Sequence, residues 1–304
     1  MGKDYDVVIA GDVYCDLVFT GLPRLPVLGE ELFSADFDMV PGGTFITATT
    51  LHRLGLKVGL FCHMGSDPFS RFTVSVMEEE GLDLSLVQRF DYPIRTVTVS
   101  MSFEEDRSFV SFTDPRPLEP APADILAACR FRHIHVHWLG QLWDEPGLIE
   151  LGRMQGASIS LDCQCCPDVM ARPDVSEKLG LVDVFMPNQV EALQVTGESG
   201  PEDALRRLAT WTPTAIVKLG AAGVIAHHEG KRYQVPAMPV NVVDTTGAGD
   251  AFAGGFIYGM LSGIPFEDAL RAGIVCGSLS ATARGGSTNV PRLPELEKRM
   301  AKGW

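Results

Sequence analysis

Basic charge is scarce in this chain: 25 lysines and arginines stand against 39 aspartates and glutamates, for a net charge of −14. That balance argues against duplex nucleic acid or an anionic membrane as a partner. It does not prevent local phosphate binding through backbone N–H groups. Long apolar runs are also missing. The longest, Ala251 to Ile264, is too short and too rich in glycine to span a bilayer. The opening MGKDYDVVIAGD puts acids where a signal peptide has its basic and apolar parts, so none is expected. Asp6 stands where a myristoylation signal needs Ser or Thr. Seven cysteines, an odd number, suit reduced thiols in a cytoplasm better than a disulfide framework. Two common phosphate motifs are lacking as well: there is no Gly-x4-Gly-Lys-Ser/Thr, and in GAGDAF Phe252 replaces the third glycine of the dinucleotide fingerprint.

What remains is an ordinary globular chain of 304 residues, 45% hydrophobic and 21% charged, with ample length for a large core. Short apolar strands are expected at 6–10, 58–65, 133–140, 158–163, 182–188 and 215–220. Helices are expected at 44–54, 69–81, 122–129, 146–155 and 201–210, with Gly81 ending the second. Strands alternating with helices predict an α/β fold, a mostly parallel sheet covered on both faces. Two regions break the rhythm. Residues 16–43 are turn-rich, and 95–112 alternate in polarity around Glu104-Glu105-Asp106, a β-hairpin pattern. They read as a small sheet beside the main one, acting as a lid (segments 16–40 and 95–112), or else as edge strands of the main sheet.

The stretch VVDTTGAGDAFAGGF, 242–256, carries the chemistry. A strand ending at Val243, a turn Asp244-Thr-Thr and a helix opening at Gly247 are expected. A helix start has unpaired N–H groups and a positive dipole, and glycine lets a ligand approach the backbone. A phosphate fits on the amides near 247–250. Asp250 beside it makes sense as the base that accepts a proton from an attacking hydroxyl in phosphoryl transfer. The plainer reading of Asp250 alone is an acid that stabilises a helix start.

DTTGAGDAFAGGF resembles the C-terminal signature of the ribokinase-like carbohydrate kinases, the PfkB family. PGG (41–43), GSD (65–67), NQVE (188–191) and VKLGAAGV (217–224) match further family motifs in order along nearly the whole chain. The resemblance implies a single domain over 1–304, a three-layer sandwich with a central, mostly parallel sheet and a small β-lid. It implies ATP, Mg²⁺ and a hydroxymethyl group of a sugar or sugar acid as acceptor. By motif position, Asp250 would be the base and the amides of Gly247, Ala248 and Gly249 the anion hole. Asn188 and Glu191 would organise Mg²⁺ and phosphates through water, with Lys218, Gly220 and Gly223 along the nucleotide. A monovalent cation, K⁺ in many members, would fall on Asp244, Thr246 and Gly286 in the loop ARGGS.

On the acceptor side the same carry-over points to Asp16, assisted by Asp12, with Gly42 and Gly43 letting the ring approach the backbone. Asp12 also reads as a plain turn residue and Asp16 as an exposed lid acid. Thr47 stands where the family usually has Asn, and Ser70 where GSDPFS should end in glycine. A hydroxyl has less reach and fewer donors than an amide, so the acceptor is expected to bind differently from ribose. Phe45 and Ile46 could form a shelf for a nucleobase, which keeps a nucleoside kinase open. Two further readings stay open: a non-catalytic sugar- or nucleotide-binding protein on this fold, and a kinase of vitamin-like alcohols on a related fold. His133, His135 and His137 share a strand face but do not by themselves close a metal tetrahedron; His137 or Trp138 could line the acceptor pocket. Cys163, Cys165 and Cys166 lack a second cluster and read as loop thiols. Arg107 reads as a turn charge or as a lid cation reaching an anion. A homodimer through the lid is expected from an exposed sheet face.

Overall fold

The computed structural model describes residues 4–103, 107–116, 118–164 and 166–304. The hairpin tip Glu104-Glu105-Asp106 and Cys165 lie outside these. Fourteen strands occur among the described residues. They are β1 (Asp4–Ala10), β2 (Val13–Thr20), β3 (Asp36–Gly43), β4 (Val58–Phe61), β5 (His63–Met64), β6 (Gln88–Arg89), β7 (Thr96–Ser102) and β8 (Arg107–Thr113), followed by β9 (Arg130–Val136), β10 (Ser158–Leu161), β11 (Val184–Phe185), β12 (Thr214–Lys218), β13 (Val224–His228) and β14 (Lys231–Val235).

Eight of them form one sheet in the order β14-β13-β12-β11-β10-β9-β1-β4. From β4 to β12 every pairing is parallel. β1 shows why it sits inside: Val7, Val8 and Ile9 are all fully buried, as a strand covered on both faces requires. Val7 and Ile9 join one core, with the helices Thr44–Arg53, Ala248–Leu261 and Phe266–Ser280. Val8 and Ala10 join the other, with Pro146–Gln155, Gln189–Thr196 and Pro201–Leu208. Helix, sheet and helix make the three layers. The last two strands are an antiparallel hairpin that the alternation of strands and helices did not foretell. Glu229 (φ 48°) and Gly230 (φ 75°) close it, the signature of a two-residue type I′ turn.

The long C-terminal helices pack through glycine. A Cβ on Gly255 would lie 2.6 Å from the Ala272 oxygen, and one on Gly259 would lie 2.7 Å from the Ala269 Cα. The small-residue run after the GAGD motif thus brings two backbones into contact.

β3-β2-β7-β8 form a second, four-stranded sheet, from the two segments that broke the sequence rhythm. Register sets its faces. Asp16 pairs with Thr98 and Val18 with Ser100, and Thr98 pairs with Ser111; Leu17 pairs with Val99, and Val99 with Val110. One face is therefore largely polar and the other apolar.

Two strand expectations need correction. The stretch 58–65 splits: Val58–Phe61 ends the main sheet, whereas His63–Met64 leaves it to pair with β6. Val240–Val243 is not a strand. β14 stops at Val235, and Pro236 and Pro239 cannot donate to a ladder; Val242 and Val243 are exposed. Among the described residues no helix is long and apolar enough to cross a membrane.

Candidate active site

Parallel strands end together, so the residues following β1, β9, β10, β11 and β12 gather at one edge of the sheet: Asp12, His137, Asp162, Asn188 and, as the last residue of its strand, Lys218. Ligands of open α/β sheets bind outside such carboxyl ends. The N-terminus of the helix Ala248–Leu261 reaches the same edge. A Cβ on Gly249 would sit 3.2 Å from the Lys218 ammonium, and His137 Nδ1 lies 3.6 Å from Asp250 Oδ1.

Asp244 shapes the helix start. One carboxylate oxygen accepts from the Thr246 amide (2.9 Å) and the other from the Gly285 amide (3.1 Å). This clamps the turn to the loop ARGGS. Gly247 follows in left-handed conformation (φ 71°), and a Cβ there would come within 2.4 Å of Ile46, so no other residue fits. The Gly247 and Gly249 amides have no hydrogen-bond acceptor among the described residues, which leaves two donors for an anion. The Ala248 amide is already engaged, donating to the Thr245 oxygen at 3.2 Å. In this arrangement the expected three-amide anion hole has two open donors. Asp250 lies behind them. Burial, with Asp162 nearby, pushes its carboxyl well above the usual carboxylate range, while Lys218 and Arg107 pull against that rise. Arg107 starts β8 and lies over the Phe109 ring.

Lys218 is held by both oxygens of Asp162, each at 2.8 Å. Burial works against its ammonium, but Asp162, Glu191 and Asp250 outweigh burial and raise its pKa. Asn188 and Glu191 close a capping box: Asn188 Oδ1 accepts from the Glu191 amide (3.0 Å) and Glu191 Oε2 accepts from the Asn188 amide (2.7 Å). One oxygen of each is thus committed to the helix start, and Asn188 Nδ2 and Glu191 Oε1 remain for solvent or ligand. Burial raises Glu191, opposed by Lys218. Among the described residues no three His, Cys, Asp or Glu side chains converge as a metal cage. Mg²⁺ typically takes one or two protein carboxylates and completes its shell with water and phosphate, and Asn188 and Glu191 fit that pattern.

Asp16, on the polar face of the second sheet, is 6% exposed. Burial, with Asp250 and Asp244 near, pushes its carboxyl up to about 7. It rests on Gly42, where a Cβ would meet Asp16 Oδ2 at 2.0 Å. A Cβ on Gly43 would strike the Asp12 oxygen at 2.6 Å. Gly42 therefore makes room for the Asp16 carboxylate, and Gly43 for the Asp12 main-chain oxygen, as much as for a ligand. Asp12 reaches water at the mouth of the cleft, yet the protein around it is dense enough to raise its carboxyl, with His137 opposing. Thr47 is fully buried and its hydroxyl donates to the Asp250 main-chain oxygen at 3.2 Å. The structure makes it a brace between two helices rather than a group presented to an acceptor.

Gly220 has nothing within 4 Å of a Cβ, so its surroundings are open. Gly223 is different: a Cβ would overlap the Val235 oxygen at 2.1 Å, so this glycine serves the crossing of two segments. The Gly286 oxygen accepts from Ser280 (2.7 Å), and the Thr246 hydroxyl is buried without a partner among the described residues. His133 and His135 are fully buried on Ser158 and Ser160 hydroxyls, 2.7 to 2.9 Å away. Burial lowers both to about 3, and they stay neutral. Sequence reasoning missed Asp162 and Gln164. An acid directly after a strand, in SISLDC, was the available signal.

A family model described as pfkB family carbohydrate kinase matches residues 30–293. The ribokinase of Lactococcus lactis is 25% identical, over 97% of this chain and 96% of its own length. The cytidine kinase of Thermococcus kodakarensis is 31% identical, over 88% and 93%. The Arabidopsis thaliana ribokinase solved with ribose and ATP superposes with a TM-score of 0.82 at 21% identity, covering 99% of this chain and 100% of that one. The half-buried acid beside open helix-start amides thus stands in a chain that belongs to the pfkB family of carbohydrate kinases.

Proposed function

We propose that this kinase transfers the γ-phosphoryl group of ATP to a primary hydroxyl of a small, sugar-like acceptor. The observation that carries the reading is the convergence of the Asp250 carboxylate, the open Gly247 and Gly249 amides and the Lys218 ammonium at one helix start. Asp250 accepts the hydroxyl proton as the new O–P bond forms. Its raised pKa suits a base working near neutral pH. The two amides and Lys218 stabilise charge on the transferred group. Mg²⁺, held through water by Asn188 and Glu191, would neutralise the phosphates when bound. A monovalent cation would sit by Asp244, Thr246 and Gly286. The orphaned Thr246 hydroxyl supports this, although both Asp244 oxygens already accept amides.

Asp16 and Asp12 bind acceptor hydroxyls, and the second sheet serves as a lid that limits wasteful hydrolysis. A cavity of about 340 Å³ opens beside Asp12, lined among others by Asp144, Glu145, Thr96, Ile94 and Arg116. Arg116 is already paired with Asp114, so acids dominate the free charge. This supports a neutral or amine-bearing acceptor over a sugar acid. Because the cavity has room for a ring, it also favours the second reading, a nucleoside such as cytidine. The apolar outer face of the lid, with Val110 and Phe112 more than half exposed, supports a homodimer.

The test is ADP release from Mg·ATP with ribose, deoxyribose, fructose, gluconate and cytidine, wild type beside Asp250→Asn. One acceptor should stimulate release, and the variant should lose about 10³-fold in kcat while still binding ATP. Near-normal turnover by Asp250→Asn would remove the base from the mechanism.

A further inference from the structure

His137 follows β9 and is 2% exposed. Its Nδ1 points at Asp250 Oδ1 across 3.6 Å and has no hydrogen-bond partner among the described residues. Everything else about the residue is fixed. Its amide donates to Gln141 Oε1 (3.0 Å), and Gln141 donates in turn to the Ala10 oxygen (2.9 Å) and Glu145 Oε2 (3.0 Å). On the far side of the ring, Nε2 meets the Gln164 side-chain nitrogen at 2.5 Å. With the Gln164 nitrogen assigned as the donor, Nε2 accepts and the ring proton resides on Nδ1. The opposite tautomer would set an Nδ1 lone pair against a carboxylate. Gln164 holds its place with a left-handed backbone (φ 50°), a conformation that costs energy in a residue other than glycine.

We infer that His137 is the positioning residue for Asp250: its Nδ1–H donates to one carboxylate oxygen and so fixes the other towards the acceptor hydroxyl. This rests on the reading of Asp250 as the base. In the resting geometry the contact is longer than a hydrogen bond, and such contacts tighten when the ligand binds. The proton stays on His137 throughout; the acceptor proton goes to the free oxygen of Asp250. Burial lowers the imidazole to about 4, so the pair is a neutral donor on a carboxylate and not a salt bridge. The charged groups acting on His137 are Asp162, Asp12 and Lys218, and those acting on Asp250 are Asp162, Lys218 and Arg107, with Asp16 and Glu191 also in reach of its charge. None of them supplies the Nδ1-side donor.

The experiment compares His137→Ala, His137→Asn and Gln164→Ala, with whichever panel acceptor turns over. Asn keeps a donor near the Nδ1 position. His137→Ala should lose about 10- to 100-fold in kcat with little change in KM for ATP. The acid limb of its kcat/KM profile should move up by about one unit, because a donor to the charged form no longer stabilises it. His137→Asn should restore the limb and most of kcat, and Gln164→Ala should fall between. Equal damage from Ala and Asn, or an unmoved acid limb in His137→Ala, overturns the inference. A readout independent of turnover is ¹⁵N NMR of the histidine rings. An Nδ1–H tautomer at His137 whose signal shifts in Asp250→Asn supports the contact. An Nε2–H tautomer overturns it, even if no acceptor in the panel is phosphorylated and the kinase reading itself has failed.

Discussion

The two sheets solve opposite problems. The eight-stranded sheet hides both faces: β1, β12 and β13 carry apolar side chains into a core on each side. The four-stranded sheet turns its polar side inwards. Asp16, Thr98 and Ser100 are buried or nearly so, while Phe37, Val110 and Phe112 are about half exposed. The first arrangement buys stability. The second gives up stability to hold acids and hydroxyls over a cleft, and leaves an apolar back exposed.

Four variants would break or sharpen this contrast. Phe185→Ala, in the middle of the main sheet, should cost about 3–5 kcal/mol in denaturant unfolding, since Phe185 is fully buried; a loss under about 1 kcal/mol would mean the core repacks. Gly42→Ala should leave the melting temperature nearly unchanged. It should lower kcat/KM for the acceptor by about 10²-fold, because the new Cβ displaces the Asp16 carboxylate; ATP binding by calorimetry should not change. Asp16→Asn should act in opposite directions on activity and stability. The folded-state pKa of Asp16 is raised to about 7, so its ionised form destabilises the fold above neutrality. That penalty fades as pH falls through 7 and is gone below the ordinary carboxylate value near 4. The variant should therefore gain about 1–2 kcal/mol over wild type at pH 8 and nothing at pH 4, while acceptor binding is lost. Urea melts at the two pH values check the sign. The smallest effect belongs to the outer face: Val110→Lys with Phe112→Lys should change unfolding stability by under about 0.5 kcal/mol yet shift the sedimentation coefficient to that of a monomer.

Much of this was legible in the chain. Val58–Phe61 announced itself by its apolar run and Pro68–Glu80 by its Gly81 stop, whereas the strand expected at 133–140 begins earlier, at Arg130, and ends at Val136. DTTGAGD located the helix start because glycine and Asp there have few other uses. Three things were not legible. Val240–Val243 has strand composition, but its strandlessness follows from prolines upstream and from Ala281, whose oxygen takes the Val243 amide at 2.8 Å. Thr47 looked like an acceptor contact because it stands where the family usually has Asn; only the packing of two helices, some 200 residues apart in sequence, gives its hydroxyl to the Asp250 main-chain oxygen. Asp162 and Gln164 follow a short strand in a cysteine-rich loop, and nothing local says that one meets Lys218 and the other His137.

The order of strands along the sheet edge also has a consequence for how such a protein changes over time. Asp12 follows β1, His137 β9, Asp162 β10 and Asn188 β11, with Lys218 ending β12. On the proposed reading, the acceptor group at the β1 end gives way to groups for the phosphoryl donor at β11 and β12, with His137 beside Asp250 between them, and each side chain hangs from its own strand. On that reading a mutation at the end of β1 can retune what is phosphorylated without moving the residues at β11 and β12, whereas one at the end of β9 disturbs Asp250. The architecture is therefore a keyboard on which one end sets the acceptor and the other keeps the same note.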